Sequence, residues 1–172
     1  MGGLLGNNDT DLLESLEPMV KPNNWQQQQW SKIAGVGLPV HSDEDWKYTS
    51  LSMFKQLPLH CAARQPAENI SYESLSLALD GYRLVFFDGL FSVRCSDWIP
   101  KTTITPLDRL SAVESYEMSK SVCPDAFTYL TDATAMGGVL IEVEPGTVID
   151  KPIYLLHISS GVKGDVCSYR PH

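Results

Sequence analysis

The sequence predicts an α+β protein: a helical amino-terminal region that leads into a stack of short strands. Three observations carry this expectation. Apolar residues recur every three to four positions near the amino terminus, two β-rich runs flank an Asp-Gly turn near the middle, and three more β-rich runs follow at centres about twelve to fourteen residues apart. With 172 residues, 43% hydrophobic and 20% charged, the chain holds enough apolar side chains for a packed core and has the length of one domain or slightly more.

Leu12, Leu13, Leu16 and Val20 place a short amphipathic helix over Asp11 to Val20, and Trp30, Ile33 and Ala34 place a second over Trp25 to Ala34. Pro18, Pro22, Asn23 and Asn24 separate the two, and Gly35 to Pro39 supplies the stop. Gln26 to Gln29 reads as a solvated polar face of the second helix. Residues 40–80 fit neither period and carry frequent Ser and Pro, so loop and short helix are expected there. From Tyr82 the chain reads Arg-Leu-Val-Phe-Phe, Asp88-Gly89, Leu-Phe-Ser-Val-Arg, the pattern of a hairpin closed by a type I′ turn. Thr105, Pro106 and Asp108 offer an N-cap, a first-turn proline and a first-turn acid, which predicts a helix over about 106–119. A further helix is expected over Asp125 to Met136, stopped by Gly137-Gly138.

Short strands at regular spacing after Val139 argue for a stack, sandwich, barrel or β-helix over alternating βαβ units. The alternation of Val166, Ser168 and Arg170 against Cys167 and Tyr169 is still running at His172, so the expectation is an amino-terminal part of a longer protein with an exposed strand edge. The divisions that follow are 1–80 (helices and loops), 81–137 (hairpin and two helices) and 138–172 (start of the strand stack).

Thirteen basic against 21 acidic residues leave a net charge of −8 and no basic cluster, which disfavours nucleic acid as a partner. No secretory leader pattern opens the sequence, and the longest apolar runs fall far short of a membrane span, so a cytoplasmic location is expected. Cys61, Cys95, Cys123 and Cys167 show no metal-ligand spacing and are expected to be free, mostly buried thiols. His41, His60, His157 and His172 form no helical metal pair. His60-Cys61 is a weak thiol–imidazole candidate because neighbours in an extended segment diverge, and the acidic run Asp43-Glu44-Asp45 reads as a solvated face. No phosphate-binding glycine loop or nucleophile elbow occurs. Trp46-Lys47-Tyr48-Thr49 reads chiefly as a packing anchor, both aromatic rings buried and Lys47 reaching water, with partner binding as the secondary role. The residues alone thus name no catalytic, cofactor-binding or metal site.

Gly37-Leu38-Pro39, then Glu44 to Leu51 around Trp46, Tyr82 to Gly89, Ala126-Phe127 with Leu130 to Ala133, Gly138 to Ile141 and Lys151 to Ile158 together resemble the SufB/SufD family, SufD type: scaffold subunits of the SUF iron–sulfur cluster assembly machinery. The resemblance covers about residues 25–172, and Thr131 stands where the family pattern has Asn. It implies a helical amino-terminal region, the first coils of a right-handed parallel β-helix, and a non-enzymatic scaffold. The implied partners are a SufB-type homologous subunit and a SufC-type ATPase. The family's cluster-building residues and ATPase-docking helices would lie beyond His172, so no site residue and no resident cofactor is carried over, and the cluster is cargo of the whole complex. The rival reading is a β-helix or cupin-like enzyme acting on a carbohydrate or small acid, which requires a metal triad or carboxylate pair.

Overall fold

A computed structural model describes residues 7–20, 24–61, 72–109, 124–159 and 163–170. Helix α1 spans Asn7–Leu16 and α2 spans Asn24–Val36; Glu17–Met19, with Pro18 in its first turn, is a tighter helical turn between them. Helix α3, Ala126–Thr134, begins where Asp125 accepts a hydrogen bond from the Thr128 backbone N–H at 2.7 Å. The apolar stripes of these helices pack together: Leu12, Leu13, Leu16 and Met19 join Ile33, Leu38, Ala126 and Leu130 in one core.

The strands among the described residues are β1 His60–Cys61, β2 Tyr82–Phe87, β3 Leu90–Ser92, β4 Thr102–Pro106, β5 Val139–Val143, β6 Ile153–Ile158 and β7 Asp165–Val166. The expected hairpin is present, β2 antiparallel to β3, with Asp88 at φ 45° and Gly89 at φ 81° as a type I′ turn demands. Leu84, Val85 and Phe86 are consecutive and fully buried because both faces of β2 are covered. Leu84 and Phe86 join Ile99 and Val139 in a second core, while Tyr72 lies against Phe87 and under the Arg83 guanidinium on the other side.

Three small sheets result, in the orders β1-β7, β3-β2-β6 and β4-β5. β7 runs parallel to β1 and β6 parallel to β2, with Phe86 opposite His157; β5 is antiparallel to β4. Each of the last three strands therefore adds onto one edge of an earlier strand.

Two expectations need correction. Thr105 and Pro106 do not open a helix: they end β4, held by pairing with Leu140 and Val139, and Leu107–Arg109 forms a single tight turn. Residues 110–119 of the expected helix lie outside the described residues. Gln26 and Gln29 are not solvated but 5% and 1% exposed. The Gln26 amide donates to the Ala133 and Ala135 carbonyls, each at 3.0 Å, and so satisfies the carbonyls left free at the end of α3.

Candidate functional site

The described residues offer surfaces for pairing more than groups for chemistry, and the segment 165–170 organises those surfaces. Asp165 and Val166 pair with β1, and the Asp165 carboxylate meets the His60 imidazole at 2.7 Å. Ser168 accepts from the Met136 N–H at 2.9 Å, Tyr169 bridges to Gly137, and the Arg170 N–H donates to the Gly137 carbonyl at 3.0 Å. Beyond that, the Arg170 guanidinium forms an ion pair with Asp132, whose side chain is only 3% exposed. Burial disfavours the charged form of Arg170 and lowers its pKa. Gly138, at φ 150°, lies against the Arg170 carbonyl and the Leu107 side chain, so a Cβ there would collide with this strap. Val166 to Tyr169 thus has backbone partners on one side among the described residues, and its other side is an edge.

Behind the strap stands a column of rings. His157 stacks on Phe86 at 4.5 Å between centroids, and Tyr169 stacks on His157 at 3.7 Å. The register of β2 and β6 sets the first contact and the strap sets the second. The His157 Nδ1 is buried without a hydrogen-bond partner among the described residues, and burial lowers the imidazole pKa. Nearby, the buried Asp88 carboxylate of the hairpin turn accepts from the Cys167 thiol at 3.8 Å. β5, β6 and β7 each have a hydrogen-bonded neighbour on one side only among the described residues. β6, with sequence Ile-Tyr-Leu-Leu-His-Ile, is an uncharged, half-buried edge strand. Natural sheet edges of this kind are normally blunted by charge, proline or a cover.

Other candidate residues are dispersed. Cys95 and Cys167 are in no disulfide among the described residues and are only half-buried; the Cys61 side chain and Cys123 lie outside the described residues. The His60 ring is committed to Asp165, and His41, Asp43, Glu44 and Asp45 are exposed. Among the described residues, no group of three or more His, Cys, Asp and Glu is placed to hold a metal ion. Likewise no described helix is long and apolar enough to cross a membrane.

The Trp46 tetrapeptide splits into two roles. Trp46 is half-buried with its ring 5.2 Å from that of Phe127, the expected anchor. Tyr48 is 91% exposed, against the expectation that both rings are buried. Sequence reasoning missed the buried Asp132–Arg170 pair and the His157 column, since each joins residues far apart in the chain.

No protein-family model matches the chain. It is similar to "Iron-sulfur cluster assembly protein SufD" of Escherichia coli (strain K12), 31% identical over 163 aligned residues that take in 85% of this chain and 34% of that protein. The chain therefore spans about a third of the length of the curated relative it matches.

Proposed function

Because the chain belongs to the SufD family over the stretch so matched, we propose that it is a non-catalytic scaffold subunit in iron–sulfur cluster assembly. It works in the cytoplasm, in a complex with a SufB-type homologous subunit and a SufC-type ATPase. The observation that carries this reading is the 31% identity to a cluster-assembly protein over most of the chain. The sheet arrangement gives it physical sense. β5 pairs antiparallel with β4, whereas β6 and β7 follow one another in sequence and pair parallel with the earlier strands β2 and β1, as one coil of a solenoid does when it stacks on a preceding rung. On this reading they belong to the first coils of a right-handed parallel β-helix, and their outer edges offer backbone donors and acceptors to further strands.

The test is assembly. This chain, mixed with a purified SufB-type subunit of the same source, alone or already bound to its SufC-type ATPase, is expected to co-elute with that subunit in size-exclusion chromatography and to show no ATPase activity of its own. Failure to co-elute with the SufB-type subunit at micromolar concentrations overturns the scaffold reading, as does any turnover of ATP by the chain alone.

A further inference from the structure

The loop between Trp46 and Phe54 is pinned at both ends and exposed between them. Trp46 and Phe54 both pack on Phe127 of α3, with ring centroids 5.2 and 5.8 Å away. Each arm is closed by backbone hydrogen bonds: Trp46 N–H to the Asp43 carbonyl and Thr49 N–H to the Trp46 carbonyl at 3.0 Å, and Lys55 N–H to the Leu51 carbonyl at 2.9 Å. Between the arms Tyr48 is 91% and Met53 82% exposed, although large apolar side chains. Single exposed apolar residues need no explanation. Two of them within one loop, both nearly wholly in water while the loop's anchors are packed, are a different matter. A loop already fixed in shape loses little conformational entropy on docking, and Tyr and Met are enriched in protein–protein interfaces.

We propose that the Trp46–Phe54 loop is a docking loop, in which Tyr48 and Met53 insert into an apolar cleft of a partner protein bordered by Lys or Arg. The charge of the loop selects that partner. Glu44 and Asp45 stand exposed on the turn that leads into Trp46. The sole cation of the tip, Lys47, lies over the Tyr48 ring at 5.5 Å. The exposed acidic run Asp43-Glu44-Asp45 outweighs Lys47 and the half-buried Lys55 beside Phe54, so the face is apolar with a negative flank, on a chain of net charge −8, which suits a basic rim. The two aromatic ends have separate duties: Trp46 holds the loop on α3, and Tyr48 meets the partner.

The inference rests on the assembly reading above, since it supplies the contact by which the chain joins its complex. The experiment measures binding of the purified SufB-type subunit to wild type, to Tyr48→Ser/Met53→Ser and to Glu44→Gln/Asp45→Asn. The expected result is at least tenfold weaker binding for the first variant with an unchanged melting temperature, and a shallower salt dependence for the second. Wild-type binding that both variants reproduce overturns the docking loop and leaves the assembly reading standing. Absence of wild-type binding overturns the assembly reading and the docking loop with it. A concentration-dependent dimer of the chain alone that Tyr48→Ser/Met53→Ser dissolves assigns the loop to a second copy and refutes the partner named here.

Discussion

Removing one member of the Asp132–Arg170 pair is expected to cost far more than removing both. The Asp132 side chain is 3% exposed and the Arg170 side chain 21%. Deleting one partner of a buried ion pair leaves an uncompensated charge and costs about 3–5 kcal/mol. Asp132→Ala strands the guanidinium, which keeps some contact with water, so a loss near the lower end, about 3 kcal/mol, is expected. Arg170→Met strands a carboxylate with almost none, so the loss is expected at the upper end, about 5 kcal/mol. Asp132→Leu/Arg170→Met replaces the pair by apolar surface and is expected within about 1 kcal/mol of wild type, because the desolvation penalty of both ions disappears with their attraction. Urea unfolding followed by tryptophan fluorescence reads these differences directly. For a slope of about 2 kcal/mol per molar urea, a 3 kcal/mol loss moves the midpoint by about 1.5 M. Single variants that each cost under about 0.5 kcal/mol, or a double variant as unstable as the two losses summed, would refute the reasoning that the strap is clasped by this pair.

The half-buried His157 makes stability depend on pH. Its folded-state pKa lies below the ordinary imidazole value of about 6.5, because burial disfavours the cation. The unfolded chain therefore takes up the proton first, and the contribution of His157 is present above that value and lost as the pH falls through the folded-state value. Melting temperatures measured from about pH 7.5 to 5 should fall less steeply in His157→Phe, which keeps a ring in the column; equal slopes would count against burial as the cause. Trp46→Ala is expected to cost about 2 kcal/mol, because the ring is only half-buried, and Tyr48→Ala to stay within about 0.5 kcal/mol. Chemical denaturation of the two variants distinguishes anchor from display, and equal losses would refute the division. Anaerobic incubation of the chain with iron and sulfide is expected to leave its visible spectrum featureless, given the wide cysteine spacing; a charge-transfer band lost on substituting one cysteine would show the opposite.

Local signals explain which elements were legible in the sequence. Asp88-Gly89 between apolar runs encodes its turn through two residues that tolerate positive φ, and Asp125 caps α3 through Thr128 three positions on. Thr105-Pro106 is ambiguous locally, since a proline with its fixed φ suits a helix start and a strand end alike. Val139, more than thirty residues later, decides for the strand. The glutamines mislead for a related reason: Gln26 is polar by composition but buried by function, and the carbonyls it serves are 107 and 109 residues away. Similarly, nothing near Tyr48 tells its ring from that of Trp46, because only Phe127 makes one of them an anchor. At the candidate site the pattern of β-rich runs was readable, while the strap's clasp was not, as its backbone and ion-pair partners His60, Asp132 and Gly137 are distant in sequence.

The pairing of β1 with β7 sets a timetable for the growing polypeptide. His60 and Asp165 lie roughly a hundred residues apart, and Val166 packs against the core that α1, α2 and α3 share. At synthesis rates of about 5–20 residues per second, on the order of ten seconds separate the appearance of the first strand from that of its neighbour. Through that interval the leucines of α1 have only Met19, Ile33 and Leu38 from the buried part of their shared core until Ala126 and Leu130 arrive, and the strap that closes over them comes last. The amino-terminal helices are thus born as clients awaiting their lid, and a ribosome-associated chaperone that shields Leu12, Leu13 and Leu16 would have its work ended by the emergence of Val166.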